Sequence, residues 1–359
     1  MILSATSGMV WTEMRRHANS ASPLSDATDC LSPLGDVQAP PPVNRRYGTS
    51  TSPEEWDAGS ARLSDVHPGP GSAAAPVTTV ALDPGAPHDV AATLRFHGLH
   101  AVAGVETWDG SRWRRTLRLP GGPGRIAVAA RADGGVEARF ELTDAADLDA
   151  ALATVRRLLD LDADPLAVDR ALAADPLLAP LVAARPGLRA PGSADGPELA
   201  VRTIVGQQVS LAGARTVLGR IAAAHGERAF PDEPRLLFPS PAVLAGLDPA
   251  VLPLPRARGR AVRALAAAVA DGTVVLGADV DPEATERALL ALPGVGPWTA
   301  RYLRMRVAGD PDVLLDTDLA VRRVAAGLGL DLGGHPRWAP YRSYVTHHLW
   351  AVALAALPG

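Results

Sequence analysis

The spacing of apolar residues divides the chain into a region of strands and a region of helices. Five short segments, rich in β-branched and aromatic residues, predict strands at Val77 to Leu82, Val105 to Trp108, Trp113 to Leu119, Arg125 to Arg131 and Val136 to Leu142. Asp109-Gly110 and Asp133-Gly134-Gly135 supply hairpin turns between them. A helix that covers one face of the sheet is then predicted by apolar residues at helical spacing, namely Leu148, Leu152, Val155 and Leu159.

Beyond Asp160 the apolar spacing is helical. Helix starts are predicted at three capping residues, Ser210, Ser240 and Asp281, the last two followed by Pro. Helix ends are predicted at Gly226, Gly246 and Gly272. These signals predict about nine or ten short helices in this part of the chain.

Composition excludes several kinds of chemistry. Cys30 is the only cysteine, so the chain cannot supply the four thiolates of an iron–sulfur cluster or a Cys-based zinc site. All 35 basic residues are Arg, which closes any mechanism that needs a Lys Schiff base. No apolar run reaches membrane-spanning length and the start lacks a secretory signal, so a cytoplasmic protein is expected.

Charge gives only weak evidence about partners. The formal net charge of −4 does not suggest a nucleic-acid binder, since such domains often carry a basic excess. Between Leu290 and Gly359, however, seven Arg stand against five Asp and no Glu. This is a mild local excess of positive charge.

The most informative stretch, Leu292 to Tyr302, reads Leu-Pro-Gly-Val-Gly-Pro-Trp-Thr-Ala-Arg-Tyr. A helix predicted from Pro282 to Ala291 ends before it, and a second helix begins near Pro297. Gly294 and Gly296 between them let the backbone turn tightly and present its N–H groups to an anion. The pattern suits a DNA phosphate, and a plain helix–helix turn would look similar.

An aspartate pair follows the hairpin. Twenty residues after Trp298, an apolar run ends in Asp316 and Asp318, and a new helix begins. Asp in this position commonly caps a helix, and a capping carboxylate is also rigid enough to act as a fixed charge in a cleft. Three of the seven Trp and three of the four Tyr lie between Trp298 and Trp350, which favours a stacking pocket. An aromatic core is the alternative for Trp338, Tyr341 and Tyr344.

Together these segments resemble the helix-hairpin-helix DNA glycosylase superfamily, specifically the bacterial 3-methyladenine DNA glycosylase II type. The resemblance covers roughly residues 76–359 and includes the segments 185–192, 201–210 and 337–350. It implies a monofunctional enzyme of base excision repair that flips alkylated purines, such as 3-methyladenine and 7-methylguanine, out of DNA. Such an enzyme hydrolyses the N-glycosidic bond and has no lyase activity.

The resemblance also implies an organisation of the chain. The fold class is α+β, with a small antiparallel sheet-plus-helix N-terminal domain followed by a mainly helical two-lobed body that carries a helix-hairpin-helix motif. Residues 1–75, rich in Ser, Pro, Gly and Ala, are predicted to be disordered and of low complexity. The α+β domain is assigned to 76–162, one helical lobe to 163–195 plus 311–359, and the other, with the hairpin at 292–300, to 196–310.

Matched residue by residue, the resemblance makes Asp318 the catalytic carboxylate. It places three aromatic residues in the base pocket: Trp298, Tyr302 and Trp350. It implies that backbone N–H groups of the hairpin bind DNA phosphates, at Gly294, Gly296 and Thr299. It also implies that three backbone carbonyls coordinate a structural Na or K ion: Leu290, Leu292 and Val295. Gln208 falls at the wedge that fills the gap left by the extruded base, where the best-known member type carries an apolar residue.

The expected partner is double-stranded DNA with alkylated bases. The protein is expected to be a monomer that associates with the nucleoid and not with a membrane. No cofactor is expected to be required, and no iron–sulfur cluster. Few polar groups stand near the hairpin, so the pocket is expected to bind cationic bases mainly by stacking and to accept several of them.

Two alternatives remain: a glycosylase for neutral deaminated or oxidised bases, and a non-catalytic helix-hairpin-helix DNA-binding module. Asp318 argues against the module, because a pure binder gains nothing from a carboxylate that repels DNA.

Overall fold

The computed structural model describes residues 77–333 and 336–355. The predicted disordered segment 1–75 and Cys30 lie outside these residues.

Five antiparallel strands form one sheet in the order β1-β5-β4-β3-β2. They are β1 (Val77–Leu82), β2 (Glu106–Trp108), β3 (Arg112–Leu119), β4 (Gly122–Ala130) and β5 (Val136–Leu142). Alternate residues of β5 are buried, as a half-buried strand requires. All five predicted strands are confirmed. β4 begins three residues earlier than predicted, because Leu119 pairs with Gly122 across a tight turn at Pro120-Gly121 that the sequence analysis did not recognise.

Two helices lie against the sheet, α1 (Val90–Leu99) and α2 (Leu148–Leu159). α2 was predicted and is confirmed. α1 was missed because its buried face includes Thr93, His97 and Gly98 beside only two apolar residues, so the apolar periodicity is weak.

Ten further helices lie in the described residues after Asp160, in agreement with the predicted number. They are α3 (Pro165–Ala173), α4 (Ala179–Ala184), α5 (Gly196–Val205), α6 (Leu211–His225), α7 (Pro241–Gly246), α8 (Arg256–Ala270), α9 (Pro282–Leu290), α10 (Pro297–Val307), α11 (Leu319–Leu328) and α12 (Arg342–Ala355). The three predicted starts are confirmed, since the side chains of Ser210, Ser240 and Asp281 accept N-cap hydrogen bonds. The helix before the hairpin ends at Leu290 and not at Ala291, which caps it.

The α+β fold class is thus confirmed. Buried apolar residues form one cluster between the sheet, α1 and α2, and a second that runs through the helical body. Because this second cluster includes residues of both assigned lobes, the division into 163–195 plus 311–359 and 196–310 stays a prediction. Within the described ranges, no helix is long and apolar enough to cross a bilayer.

Candidate active site

Asp318 caps α11 and is held by hydrogen bonds from two directions. Its Oδ1 accepts the backbone N–H groups of Ala320 (2.9 Å) and Val321 (3.1 Å), which fixes the carboxylate at the helix start. Two indoles also contact the carboxylate: Trp298 Nε1 donates to Oδ2 (3.1 Å), and Trp350 Nε1 donates to Oδ1 (3.3 Å). Burial acts to raise the pKa of Asp318, and the hydrogen bonds from Val321 and Trp350 act to lower it.

The three predicted pocket aromatics come together beside this carboxylate. Trp298 and Tyr302, one turn apart on α10, stack with ring centroids 5.1 Å apart and planes 8° apart. Trp350 on α12 meets the Tyr302 ring edge-on, with centroids 6.2 Å apart. Asp316, the other aspartate of the pair, instead forms an ion pair with Arg301 (3.0 Å).

Arg306 extends the row of side chains on α10 and was not predicted as a site residue. Its Nη1 donates to the Tyr302 hydroxyl (2.9 Å), and its other nitrogens donate to the carbonyls of Pro191 and Gly192. The guanidinium lies over the rings of Phe96 (4.9 Å) and Tyr302 (5.6 Å). Burial lowers the pKa of Arg306. The spacing of Trp298, Tyr302 and Arg306, four residues apart each, would have indicated a shared helix face.

A cavity of about 110 Å³ adjoins the aromatic row. Trp298 and Tyr302 line it from the helical body, while Phe96 and His100 from α1 and Trp113 from β3 line it from the sheet side. This wall was not predicted from the sequence, because α1 was missed and because the packing of β3 on the helical body is not encoded in apolar periodicity.

His100 and Trp113 bring polar atoms to that wall. His100 Nδ1 lies 2.6 Å from the carbonyl of Phe96, so Nδ1 carries the proton and donates. Burial lowers the pKa of His100 to about 4, which leaves the ring neutral at pH 7 with Nε2 as an acceptor. Within the described chain, His100 Nε2 and Trp113 Nε1 have no hydrogen-bond partner. The pocket is therefore more polar than the residues near the hairpin indicate.

The hairpin between α9 and α10 presents backbone N–H groups. In the described part of the chain, the N–H groups of Gly294, Gly296 and Thr299 donate to no other residue. Gly294 has φ +81°, and a Cβ there would lie 2.7 Å from the Cβ of Ala261 on α8, so only Gly fits. These features match the predicted phosphate site, whose role stays a prediction.

Two adjacent glutamines in the turn between α5 and α6 have different positions. Gln208 is exposed, with a left-handed backbone (φ +57°). Gln207 Nε2 donates to the carbonyl of Gly294 (3.1 Å) and to Thr299 Oγ1 (3.3 Å), which ties the turn to the hairpin. The predicted wedge thus stands beside the hairpin, and Gln207 is a further residue that the sequence alone did not distinguish.

The predicted cation ligands, Leu290, Leu292 and Val295, all lie at the hairpin. The Leu292 carbonyl accepts the Val295 N–H (3.3 Å) and keeps a second lone pair, and oxygen donors of this kind suit hard cations. The residues present fit such an ion, whose binding stays a prediction. Among the residues that the structure covers, no group of three or more His, Cys, Asp or Glu could hold a metal.

Comparison with known proteins connects this geometry to a family. Residues 79–195 match the AlkA N-terminal domain. A "Probable bifunctional transcriptional activator/DNA repair enzyme AlkA" of Mycobacterium tuberculosis is 46% identical over 258 residues, covering 70% of this chain and 52% of the relative. The chain thus spans about half the length of that relative. DNA-3-methyladenine glycosylase 2 of Escherichia coli is 35% identical over 272 residues, covering 74% of this chain and 94% of the relative.

Solved structures share the fold. A 3-methyladenine DNA-glycosylase from Archaeoglobus fulgidus has a TM-score of 0.63 at 18% identity, over 78% of this chain and 100% of that chain. An 8-oxoguanine glycosylase/lyase from Clostridium acetobutylicum has a TM-score of 0.56 at 13% identity, over 70% of this chain and 88% of that chain. The resemblance found in the sequence is thereby confirmed. The chain belongs to the AlkA family, which includes DNA-3-methyladenine glycosylase 2.

Proposed function

We propose that this chain is a monofunctional DNA glycosylase that removes alkylated purines from double-stranded DNA by hydrolysis. The observation that carries the proposal is the fixed carboxylate of Asp318, held by two indole N–H groups beside a hairpin whose N–H groups at Gly294, Gly296 and Thr299 donate to no other described residue. The names of the two relatives, a DNA repair enzyme and a DNA-3-methyladenine glycosylase, support the same chemistry.

In this proposal the hairpin holds the DNA backbone while the damaged nucleotide leaves the duplex. Extrusion costs a few kcal/mol, least for a damaged pair, and Gln208 fills the vacancy. A purine alkylated at a ring nitrogen is cationic, so it binds well to the electron-rich faces of Trp298 and Tyr302. A sodium or potassium ion on the carbonyls of Leu290, Leu292 and Val295 would add positive charge next to the phosphate.

Asp318 acts as the N-glycosidic bond breaks. The cationic base takes the bonding electron pair and leaves neutral, while positive charge develops on the deoxyribose. A fixed carboxylate stabilises that oxocarbenium character, and the oxygen of a water then bonds to C1′ and passes its proton to the carboxylate. The products are a free base and an abasic site.

We further propose that strand cleavage does not follow. A lyase of this superfamily needs a Lys after the hairpin to attack C1′, and at that position this chain has Trp298 and no Lys anywhere. A covalent protein–DNA adduct trapped by borohydride would contradict this. Acetylation of the N-terminal amine would then test whether that amine forms the adduct.

Incubation of the full chain with methylated duplex DNA, followed by chromatography of released bases, tests the proposal. We expect free 3-methyladenine and 7-methylguanine, and strand breaks only after later alkali. Release of hypoxanthine or an oxidised base instead would favour a neutral-base glycosylase. Duplex binding without release of any base would favour the DNA-binding module. Sedimentation of the free protein tests the expected monomer.

A further inference from the structure

The start of α8 carries arginines that the fold does not use. α8 contains four Arg and no acidic residue, in a chain of net charge −4. Arg256 and Arg260 are exposed and Arg258 is partly exposed. In the part of the chain that the structure describes, none of the three forms a hydrogen bond or an ion pair.

The position of these arginines opposes helix formation. Arg256 and Arg258 occupy the first turn of α8, where the helix dipole disfavours cations, and the N-cap Pro255 provides no side-chain hydrogen bond. Arg256 and Arg260 are like charges four residues apart on one face, which is also unfavourable. An anionic partner would offset both effects.

The arginines are next to the hairpin. Ala261 follows Arg260 directly, lies one turn after Arg258 and packs close to the hairpin, since a Cβ on Gly294 would lie 2.7 Å from the Ala261 Cβ. The arginines on α10 differ, because Arg301 and Arg304 are occupied by Asp316 and Asp310. The local excess of Arg seen in the sequence after Leu290 is therefore partly neutralised, whereas the three arginines at the start of α8 have no acidic partner among the described residues.

We infer that Arg256, Arg258 and Arg260 bind the DNA backbone and extend the phosphate contacts of the hairpin along the start of α8. This inference rests on the proposed function. A polyanion with regularly spaced phosphates fits a row of arginines that have no acidic partner, and phosphate contacts position a duplex without reading its sequence. These residues act in binding and take no part in the chemistry.

The salt dependence of binding tests the inference. The full-length wild type and Gln variants at each position are titrated with a fluorescent duplex that contains an abasic site analogue, over a series of NaCl concentrations. Each lost phosphate contact should reduce the slope of log K against log[NaCl] by about 0.9, so the triple variant should lose about 2 to 3. The single-turnover rate of base release at saturating enzyme should stay at the wild-type value.

Two matched variants control for charge alone. Arg263→Gln removes an arginine of the same helix whose Nε donates to the Ala245 carbonyl on the side of α7, and Arg170→Gln removes an exposed arginine of α3. Both should leave the slope nearly unchanged. An unchanged slope in the triple variant, or equal losses in the controls, would overturn the inference while leaving the proposed function intact. A wild type that releases no base and binds no duplex would overturn both.

Discussion

Two tryptophan–aspartate pairs in the molecule have similar geometry and different surroundings. In the site, Trp298 Nε1 donates to Asp318 Oδ2 at 3.1 Å. In the core, Trp338 Nε1 donates to Oδ2 of Asp175 at 2.8 Å, and Asp175 lies in the segment between α3 and α4. Each aspartate also accepts a nearby backbone N–H, from Val321 or Leu177.

The surroundings of the two pairs decide their roles. Trp338 is only 1% exposed, and the Asp175 carboxylate forms an ion pair with Arg337 (3.0 Å). Trp298 instead lines a cavity, stacks on Tyr302 and stands two residues after Gly296 of the hairpin. An aspartate that accepts both a nearby backbone N–H and an indole N–H is therefore a structural unit in itself. It becomes a candidate active site only where it adjoins a cavity and a hairpin whose backbone N–H groups have no acceptor in the described residues.

The largest expected effect is on chemistry. Asp318→Asn should lower the rate of base release by about 10² to 10³, since one well-placed electrostatic group contributes roughly 2.7 to 4 kcal/mol. Duplex binding should persist, and stability should change little because Asn also caps helices. Single-turnover release and duplex affinity are the measurements.

Asp175→Asn is the matched control for that variant. It should lower the melting temperature, because its carboxylate pairs with Arg337, and leave the rate per folded molecule unchanged. Activity of Asp318→Asn within threefold of wild type would transfer the catalytic role to another residue.

The next effect compares the two indoles. Trp298→Ala should slow excision of 3-methyladenine and of 7-methylguanine together, because both bases lose about 1 to 3 kcal/mol of stacking free energy. Trp338→Ala should lower the free energy of unfolding by about 3 to 5 kcal/mol and leave the ratio of the two rates unchanged. Melting temperature and both excision rates separate the cases. Loss of one substrate alone in Trp298→Ala would mean that the indole reads shape or a hydrogen bond instead of charge.

The difference between the two pairs was partly visible in the sequence. Trp298 lies next to Gly294 and Gly296, so a local motif indicated its position, and Trp338 has no such neighbour. The cap at Asp318 was equally local, because an apolar run that ends in Asp before a helix predicts an N-cap.

The wall of the cavity was not predictable in this way. Phe96, His100 and Trp113 reach the site from α1 and β3, roughly 200 residues before the hairpin. Contacts between such distant segments depend on how the sheet packs on the helical body, which apolar periodicity does not encode. Arg306 was missed for another reason, since an arginine in a helix is normally expected at the surface.

A smaller effect concerns the indole N–H of Trp350. Trp350→Phe removes a hydrogen bond to Asp318 Oδ1, and a bond donated to a carboxylate favours its ionised form. The pKa of Asp318 should therefore rise.

Since the proposed chemistry needs the ionised carboxylate, activity is lost as pH falls through this pKa, and the acid limb of the pH–rate profile should move to higher pH. Trp338→Phe, which removes the donor to Asp175, should leave the profile in place. A profile for Trp350→Phe that superimposes on the wild type would mean that this hydrogen bond does not tune Asp318.

The smallest effect compares two residues that have a left-handed backbone and are not glycine: Gln208 in the turn between α5 and α6 (φ +57°) and the partly buried Asp160 at the end of α2 (φ +54°). A left-handed backbone costs an L-residue roughly 1 to 2 kcal/mol, so Gly relieves it, and the greater freedom of Gly in the unfolded chain takes back about 0.5 to 1 kcal/mol. Gln208→Gly should thus raise the free energy of unfolding by up to about 1 kcal/mol. Asp160→Gly should lower it, because the Asp160 carboxylate accepts the Ala190 N–H (3.0 Å) and the Tyr344 hydroxyl (2.9 Å).

Activity completes the test of Gln208. If its side chain fills the gap left by the flipped base, Gln208→Gly should slow excision from duplex DNA and leave excision from single-stranded DNA at the wild-type rate, since an unpaired base leaves no gap to fill. Gln208→Leu, which restores bulk without hydrogen bonding, should recover the duplex rate. If both rates are unchanged in the glycine variant, the left-handed backbone of Gln208 serves only the turn and its side chain has no role in the site. If both rates fall equally, the substitution has displaced the hairpin, to which Gln207 connects the turn.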